Sequence, residues 1–431
     1  MISDRARIAA SFGIVALAAG LTWGMALGRA SSDLLFYACA FVQAGASLVA
    51  GRLAAGNGSR AALAIMIAGA VLLRLWFVAQ VPTLSGDVYR YVWDGRVVNA
   101  GFNPYLHVPA DPALIPLRDP RQYRLIDKRE YAVAIYPPVA QALFAIVTRL
   151  SGAVWAMKLT MVLLEGVAVL ATMRLLVRLG RPPGLVATYL LHPAPLWEFA
   201  GNGHVDAAMM AFLFVALAWG GPTRPYRAAL LMTLGALVKP TAALGLPALW
   251  RPMQIKLPIA VLALALFCYL PFIGAGAGVA GFLPNYAHEQ GLDTGQGIYW
   301  LALLQNLGLF RPGMTAGYAV LAGALLLGLA LYFRWSGAID LRTALRGTAM
   351  LLIVFLLLLS PTFPWYFLVA LPMTPLLGLW SPFALTTGGF LLYGFNADAP
   401  PLFGRWSAMI GLAVLAALYD LTRVRQQETT T

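Results

Sequence analysis

Apolar runs of about 20 residues, the length needed to cross a bilayer, recur along this chain, and short basic stretches separate them. The first three lie near 8–28, 34–51 and 61–81. Arg5 and Arg7 precede the first, and Arg52 and Arg60 lie between the second and third. Basic loops mark the cytoplasmic side, so the third run is expected to exit on the far side and to leave the long polar stretch 82–135 outside. The segment 139–150 is too short to span and reads as a helix along the outer interface. The run 154–173 then crosses inward to Arg174, Arg178 and Arg181. Runs 184–200 and 205–220 meet outside at Gly201-Asn202-Gly203-His204. Arg224 and Arg227 return to the cytoplasm. The stretch 228–250 is interrupted at Lys239-Pro240 and reads as two short helices that turn there, an arrangement that tends to line a cavity. A span at 257–272, a second outer loop at 273–297, an interfacial piece at 298–310 and spans at 314–333, 346–363, 365–380, 383–397 and 405–422 complete the chain. A polar tail follows at 426–431.

This pattern predicts an all-α polytopic membrane protein of about 12–14 helices, with both termini cytoplasmic. In chain order it divides into a two-helix N-terminal addition (1–60), a membrane core (61–380) that includes the outer loop, and C-terminal helices with a tail (381–431). The run 8–28 exceeds the ~7–15 apolar residues of a signal-peptide core and reads as a retained span.

Composition agrees. Of 431 residues, 60% are hydrophobic and only 11% charged, against about 25% charged in soluble domains. The net charge of +13 would suggest nucleic acid in a soluble chain. Here the basic residues crowd into loops between apolar runs, so a membrane, not nucleic acid, is the expected partner. Cys39 and Cys268 both sit in apolar runs and form neither a disulfide framework nor a zinc motif.

Candidate chemistry concentrates at the start of the outer loop. In Ser85-Gly86-Asp87-Val88-Tyr89-Arg90-Tyr91-Val92-Trp93-Asp94-Gly95-Arg96, Asp87, Arg90 and Asp94 recur at helical spacings of three and four. One helix face can therefore carry two carboxylates and a guanidinium. An ion-paired solvated face has the same pattern. Emergence directly from a span, where a lipid-borne substrate would lie, favours a carboxylate base beside a phosphate-binding Arg. Asn103-Pro104-Tyr105 and Tyr136-Pro137-Pro138 are rigid turns whose tyrosines can face a sugar. His192, Glu198, His204 and Asp206 lie in or beside apolar segments, where ionisable groups are costly and default to function. A His-x-Asp pair alone is short of the three or four ligands a metal usually takes. No metal site is assigned, and a divalent cation, though compatible, is not indicated. Lys239 at its helix break is placed to contact an anion. Arg74 and Glu165 read as a buried structural pair. Trp365, in Ser360-Pro361-Thr362-Phe363-Pro364-Trp365-Tyr366, fits an interfacial aromatic belt or the wall of a substrate site.

These pieces together resemble the GT-C-type membrane glycosyltransferases, most nearly glycosyltransferase family 87, which uses polyprenol-phosphate mannose. The matching stretches are GDVYRYVWDGRVVNAGFNPY at 86–105, IYPPVAQ at 135–141, EFAGNGHVDAAMM at 198–210 and LVKPTAALGLPAL at 237–249, with SPTFPWYF at 360–367 a weaker fifth. The resemblance implies an inverting transfer of a sugar, mannose first, from a polyprenyl phosphate to a lipid or glycan acceptor at the outer face of a bacterial inner or plasma membrane. It assigns the general base to Asp87 and donor-phosphate binding to Arg90 and Lys239. Asp94, Arg96, Tyr136, His204, Asp206 and Trp365 are expected to position substrate or acceptor. Many members carry two adjacent acidic residues, but here Asp87 is followed by Val88, which weakens the case for a metal held by such a pair. No glycine-rich nucleotide motif in strand–helix context points to a nucleotide-sugar donor. A lipid-linked-sugar flippase or transporter, or a transferase of a pentose or aminopentose, would share many of these features.

Overall fold

The computed structural model describes residues 3–56, 60–250, 254–335 and 340–429, with side chains described as far as Arg423. Arg251 and the last two residues of the expected tail lie outside that set. Among the described residues there are helices and turns and no strand. The described residues form fourteen α-helices of eight or more residues, in order: α1 (Asp4–Ser31), α2 (Asp33–Ala55), α3 (Arg60–Ala79), α4 (Asp87–Asn99), α5 (Pro138–Leu150), α6 (Val154–Arg178), α7 (Asp206–Val215), α8 (Pro225–Ala236), α9 (Lys256–Tyr269), α10 (Tyr299–Asn306), α11 (Met314–Trp335), α12 (Leu341–Leu359), α13 (Ser381–Gly388) and α14 (Leu402–Thr429). Nine described helical segments are long and apolar enough to cross a membrane. The chain is a multi-pass membrane protein.

Three expected spans are not continuous helices. The stretch 184–200 runs as a 3-10 turn at Pro183–Val186, a single α-turn at Ala187–Leu190 and a π-helix at Leu196–Gly201. The stretches 365–380 and 383–397 are likewise broken into 3-10 and short α pieces. Nearly every residue from 186 to 218 is buried. Irregular backbone at membrane depth is tolerated where protein, not lipid, surrounds it. Apolar content alone cannot distinguish such a segment from a lipid-facing helix, and this is why the continuous-span count runs higher than nine. By contrast α11 buries none of its residues, as expected for a helix whose apolar side chains face lipid.

The chain forms two compact units that interleave in sequence: 1–76 with 169–197 and 352–431, and 77–168 with 198–351. They do not follow the chain-order division into 1–60, 61–380 and 381–431, because packing joins the two leading helices to the C-terminal ones. In the first unit, α1 and α2 form a close hairpin. A Cβ on Gly28 would lie 2.4 Å from the Phe36 backbone nitrogen, so only glycine fits. Asp33, fully buried, accepts hydrogen bonds from the backbone N–H groups of Phe395 and Asn396. Arg74 is buried here and donates to the carbonyls of Ala70 and Leu190; Glu165 is buried in the second unit.

The second unit holds the long loop. Its α5, 13 residues and so about 20 Å long, is too short to cross ~30 Å of hydrocarbon. Its buried positions Pro138, Gln141, Phe144 and Val147 form one stripe at helical spacing, packed on α4. Gly95 makes that packing possible: a Cβ there would lie 2.3 Å from the Phe144 carbonyl oxygen and 2.5 Å from Thr148 Oγ1. The segment after α9 closes over the loop. The Phe282 N–H donates to the Ala134 carbonyl, Asn103 Nδ2 to that of Phe272, and Lys128 pairs with Glu289.

Candidate active site

Seven residues separate α3 from α4, and two devices fix the turn. The Asn202 side-chain oxygen accepts the N–H groups of Thr83 and Leu84 at 3.1 and 2.9 Å. Ser85 Oγ accepts the Asp87 N–H at 3.2 Å. Asp87 thus opens α4, where the helix dipole favours a negative side chain.

Along α4 the expected face forms. Arg90 Nε donates to Asp94 Oδ1 at 2.7 Å, and its Nη1 donates to the Ala132 carbonyl at 2.9 Å. Asp94 is 1% exposed. Its other oxygen accepts from Gln141 Nε2 at 3.2 Å, and the same amide reaches the Tyr136 carbonyl at 3.3 Å. Burial pushes the Asp94 carboxyl above the usual carboxylate range, outweighing the attraction of Arg90 and the hydrogen bonds it accepts. Enclosed in this way, Asp94 has one oxygen engaged by Arg90 and the other by Gln141.

Asp87 sits differently. It is about one-third exposed. Tyr136 Oη lies 3.4 Å from Asp87 Oδ2 and 3.2 Å from Tyr91 Oη. Tyr91 is buried edge-on to Tyr136 and stacked on Phe144. Burial, with the charges of Asp87 and Asp206, holds its hydroxyl well above the usual phenol range, so it stays neutral. His204 places Nδ1 3.6 Å from Asp87 Oδ2 and Nε2 3.4 Å from Glu198 Oε2. Glu198 belongs to the π-helix, and Gly203, with φ +74°, makes the turn that aims His204. A Cβ on Gly203 would crowd Val88 Cγ2 at 3.0 Å and Lys158 Cγ at 3.1 Å.

Lys239 Nζ donates to Asp206 Oδ1 at 2.7 Å. The chain breaks between α8 and Pro240, as its Lys-Pro pair predicts. The Leu237 carbonyl at the end of α8 accepts from the Val139 and Ala140 N–H groups that open α5. This backbone joint ties the segment leading to Lys239 to the start of α5. Arg90 and Asp94 are thus linked through Gln141 and Tyr136 to Asp87, His204 lies 3.6 Å from Asp87, and Lys239 pairs with Asp206, all in the second unit.

Two further expected residues make contacts of their own. Arg96 donates to the Gly152 carbonyl at 2.9 Å and lies 3.8 Å from Asp119, stitching the loop to the start of α6. Trp365 belongs to the first unit, where it opens a 3-10 helix and stacks on Phe363. His192 is also in that unit, bonded to Thr387 and capping Ala194. Among the described residues no group of three His, Cys, Asp or Glu is arranged to hold a metal ion.

Sequence reasoning missed Tyr91 and Gln141, which hide among apolar neighbours on α4 and α5. It also missed Lys158, fully buried, whose ammonium donates to the carbonyls of Phe77 and Gln80 at 2.7 and 2.6 Å and so ties down the end of α3. A lysine inside an apolar span was the available signal.

An all-helical multi-pass membrane protein with a carboxylate and a guanidinium on the helix that opens its first long loop agrees with the resemblance to GT-C-type membrane glycosyltransferases. More narrowly, residues 8–253, over half of the chain, match the family model described as alpha-(1->6)-mannopyranosyltransferase, N-terminal domain, and the chain belongs to that family. The match begins within α1 and so takes in the two leading helices. The chain is also similar to alpha-(1->6)-mannopyranosyltransferase A of Mycobacterium tuberculosis (strain ATCC 25618 / H37Rv), 26% identical over 318 residues. That alignment covers 67% of this chain and 60% of the relative, so the chain spans less than two thirds of the relative's length. No solved structure matches.

Proposed function

We propose that the protein is an inverting mannosyltransferase that takes mannose from a polyprenyl-phosphate donor and passes it to a lipid or glycan acceptor at the extracytoplasmic face. The observation that carries this reading is the contrast between the two carboxylates of α4. Asp94 is enclosed and committed to Arg90, while Asp87 is accessible at the head of the helix, where the chain leaves α3. The family to which the chain belongs supports mannose as the sugar.

Asp87 accepts the proton of the acceptor hydroxyl as that oxygen attacks the anomeric carbon. A positioned base of this kind contributes typically 10²–10⁴-fold. The bond from the anomeric carbon to the phosphate oxygen breaks, and the electron pair leaves with the polyprenyl phosphate. Arg90 and Lys239 answer the charge that develops there. Each already carries a carboxylate partner, Asp94 and Asp206, which holds the cation in place before the donor arrives. The basic run at Arg174, Arg178 and Arg181 supports the outer placement of the 82–135 loop.

The test supplies membranes containing the protein with polyprenyl-phosphate mannose labelled in the sugar. Label appearing in a new glycosidic product, and not from a nucleotide-sugar donor, is expected. Label moved across the bilayer with no new linkage would replace this reading with that of a flippase.

A further inference from the structure

The base requires one oxygen free for the acceptor, and the structure distinguishes the two. Tyr136 Oη and His204 Nδ1 both approach Asp87 Oδ2, and among the described residues Oδ1 accepts no hydrogen bond. Behind His204 stands Glu198. Both are fully buried, and Nε2 and Oε2 lie 3.4 Å apart. Glu198 sits in the π-helix Leu196–Gly201, a backbone form common at functional sites. A neutral imidazole carries one N–H and one lone pair. A carboxylate oxygen faces each ring nitrogen, so the imidazole is held from both edges, and with Tyr136 and His204 both approaching Oδ2, Oδ1 is the oxygen open to an incoming hydroxyl. The separations of 3.4 and 3.6 Å exceed hydrogen-bonding distance, as catalytic contacts often do before substrate closes the site.

We propose that His204 and Glu198 are positioning residues for the transfer: Glu198 holds the ring of His204, and His204 holds Oδ2 of Asp87, so that Oδ1 faces the acceptor hydroxyl. This rests on the reading of Asp87 as the base. Both side chains are fully buried, so both should act on turnover and leave binding alone. The geometry also specifies a rescue. The Asn side-chain amide reaches about as far as Nδ1 and can still donate to Asp87. The Gln amide reaches toward Nε2, on the Glu198 side, and cannot.

The experiment compares the wild type, Glu198→Gln, His204→Asn, His204→Gln and Asp87→Asn in membranes at equal abundance, each checked for thermal stability. Transfer from labelled polyprenyl-phosphate mannose is measured across donor and acceptor concentration. Glu198→Gln replaces the carboxyl facing His204 Nε2 with an amide, so kcat should fall roughly tenfold with both KM values within about twofold. His204→Gln should fall further, and His204→Asn should regain most of that loss. Wild-type kcat in Glu198→Gln, a loss confined to KM, or His204→Asn no better than His204→Gln at matched stability would overturn the proposal while the wild type still transfers mannose. A wild type that transfers no mannose, or an Asp87→Asn variant with normal turnover, would instead overturn the functional reading and take this one with it.

Discussion

Gly95 offers the sharpest structural test, because the site depends on how closely α4 and α5 approach. A Cβ at this position would stand 2.3 Å from a backbone carbonyl oxygen, where ordinary contact begins near 3.4 Å, so Gly95→Ala requires about 1 Å of retreat. Neither obstacle is the end of a flexible side chain: the Phe144 oxygen is backbone, and Thr148 Oγ1 is held by that same carbonyl at 2.8 Å. Overpacking of this kind costs ~1–3 kcal/mol. Replacing a helical glycine with alanine returns ~1 kcal/mol of helix propensity. The net loss of stability should therefore be modest, roughly 0–2 kcal/mol by the same two estimates. Activity should suffer more. Gln141 rides on α5, and 1 Å of displacement takes its 3.2 Å bond to Asp94 beyond hydrogen-bonding range. Arg90 then loses its alignment, and a misplacement of this size costs up to ~10²-fold in rate. The assay pairs sugar transfer with thermal stability for Gly95→Ala and for Gly166→Ala in α6, where nothing lies within 4 Å of the added Cβ. Gly166→Ala should match or exceed wild-type stability with normal turnover. Equal behaviour of the two variants would refute the claim that α4–α5 contact sets the site.

Three further outcomes follow from the same geometry. Lys239→Ala combined with Asp206→Asn, which avoids leaving a buried carboxylate alone, should raise the donor KM by the ~1.5–3 kcal/mol of a charge-assisted bond, and an unchanged donor KM would remove Lys239 from phosphate binding. Folding raises the Asp94 carboxyl above its unfolded value, so proton uptake favours the folded state as pH falls through that window; the melting temperature of wild type should therefore gain on that of Asp94→Asn between neutral pH and pH ~4, and a constant gap would contradict the burial of its charge. In a background lacking Cys39 and Cys268, a cysteine replacing exposed Arg121 should react with an impermeant reagent from outside intact cells and one replacing Arg178 should not, and the reverse pattern would invert the topology.

The helical membrane fold was legible because bilayer thickness imposes a length on every lipid-facing helix, and α3, α6 and α11 display it. The segment 184–200 misled because its apolar residues face protein, where no regular helix is required. The site was legible where chemistry and periodicity coincide: Asp87, Arg90 and Asp94 recur at three and four on α4, and Lys239-Pro240 marks a real break. What could not be read was which carboxylate is enclosed. Asp94 is committed by Gln141, 47 residues further on, and no local pattern reports that contact. Nor could spacing separate His204 from His192, which looks equivalent in sequence but belongs to the other unit. The leading helices, set apart in chain order, pack with the C-terminal ones and fall within the family match.

The central claim is that Asp87 is the base. Asp87→Asn keeps the shape and a hydrogen-bonding oxygen but cannot accept the proton. Initial rates of mannose transfer from labelled polyprenyl-phosphate mannose, measured side by side for Asp87→Asn and Asp94→Asn at equal membrane abundance, test it directly. Turnover should fall by roughly 10²-fold or more for Asp87→Asn and by distinctly less for Asp94→Asn, whose part is to orient Arg90. Near-normal turnover in Asp87→Asn, or a collapse confined to Asp94→Asn, would contradict the account.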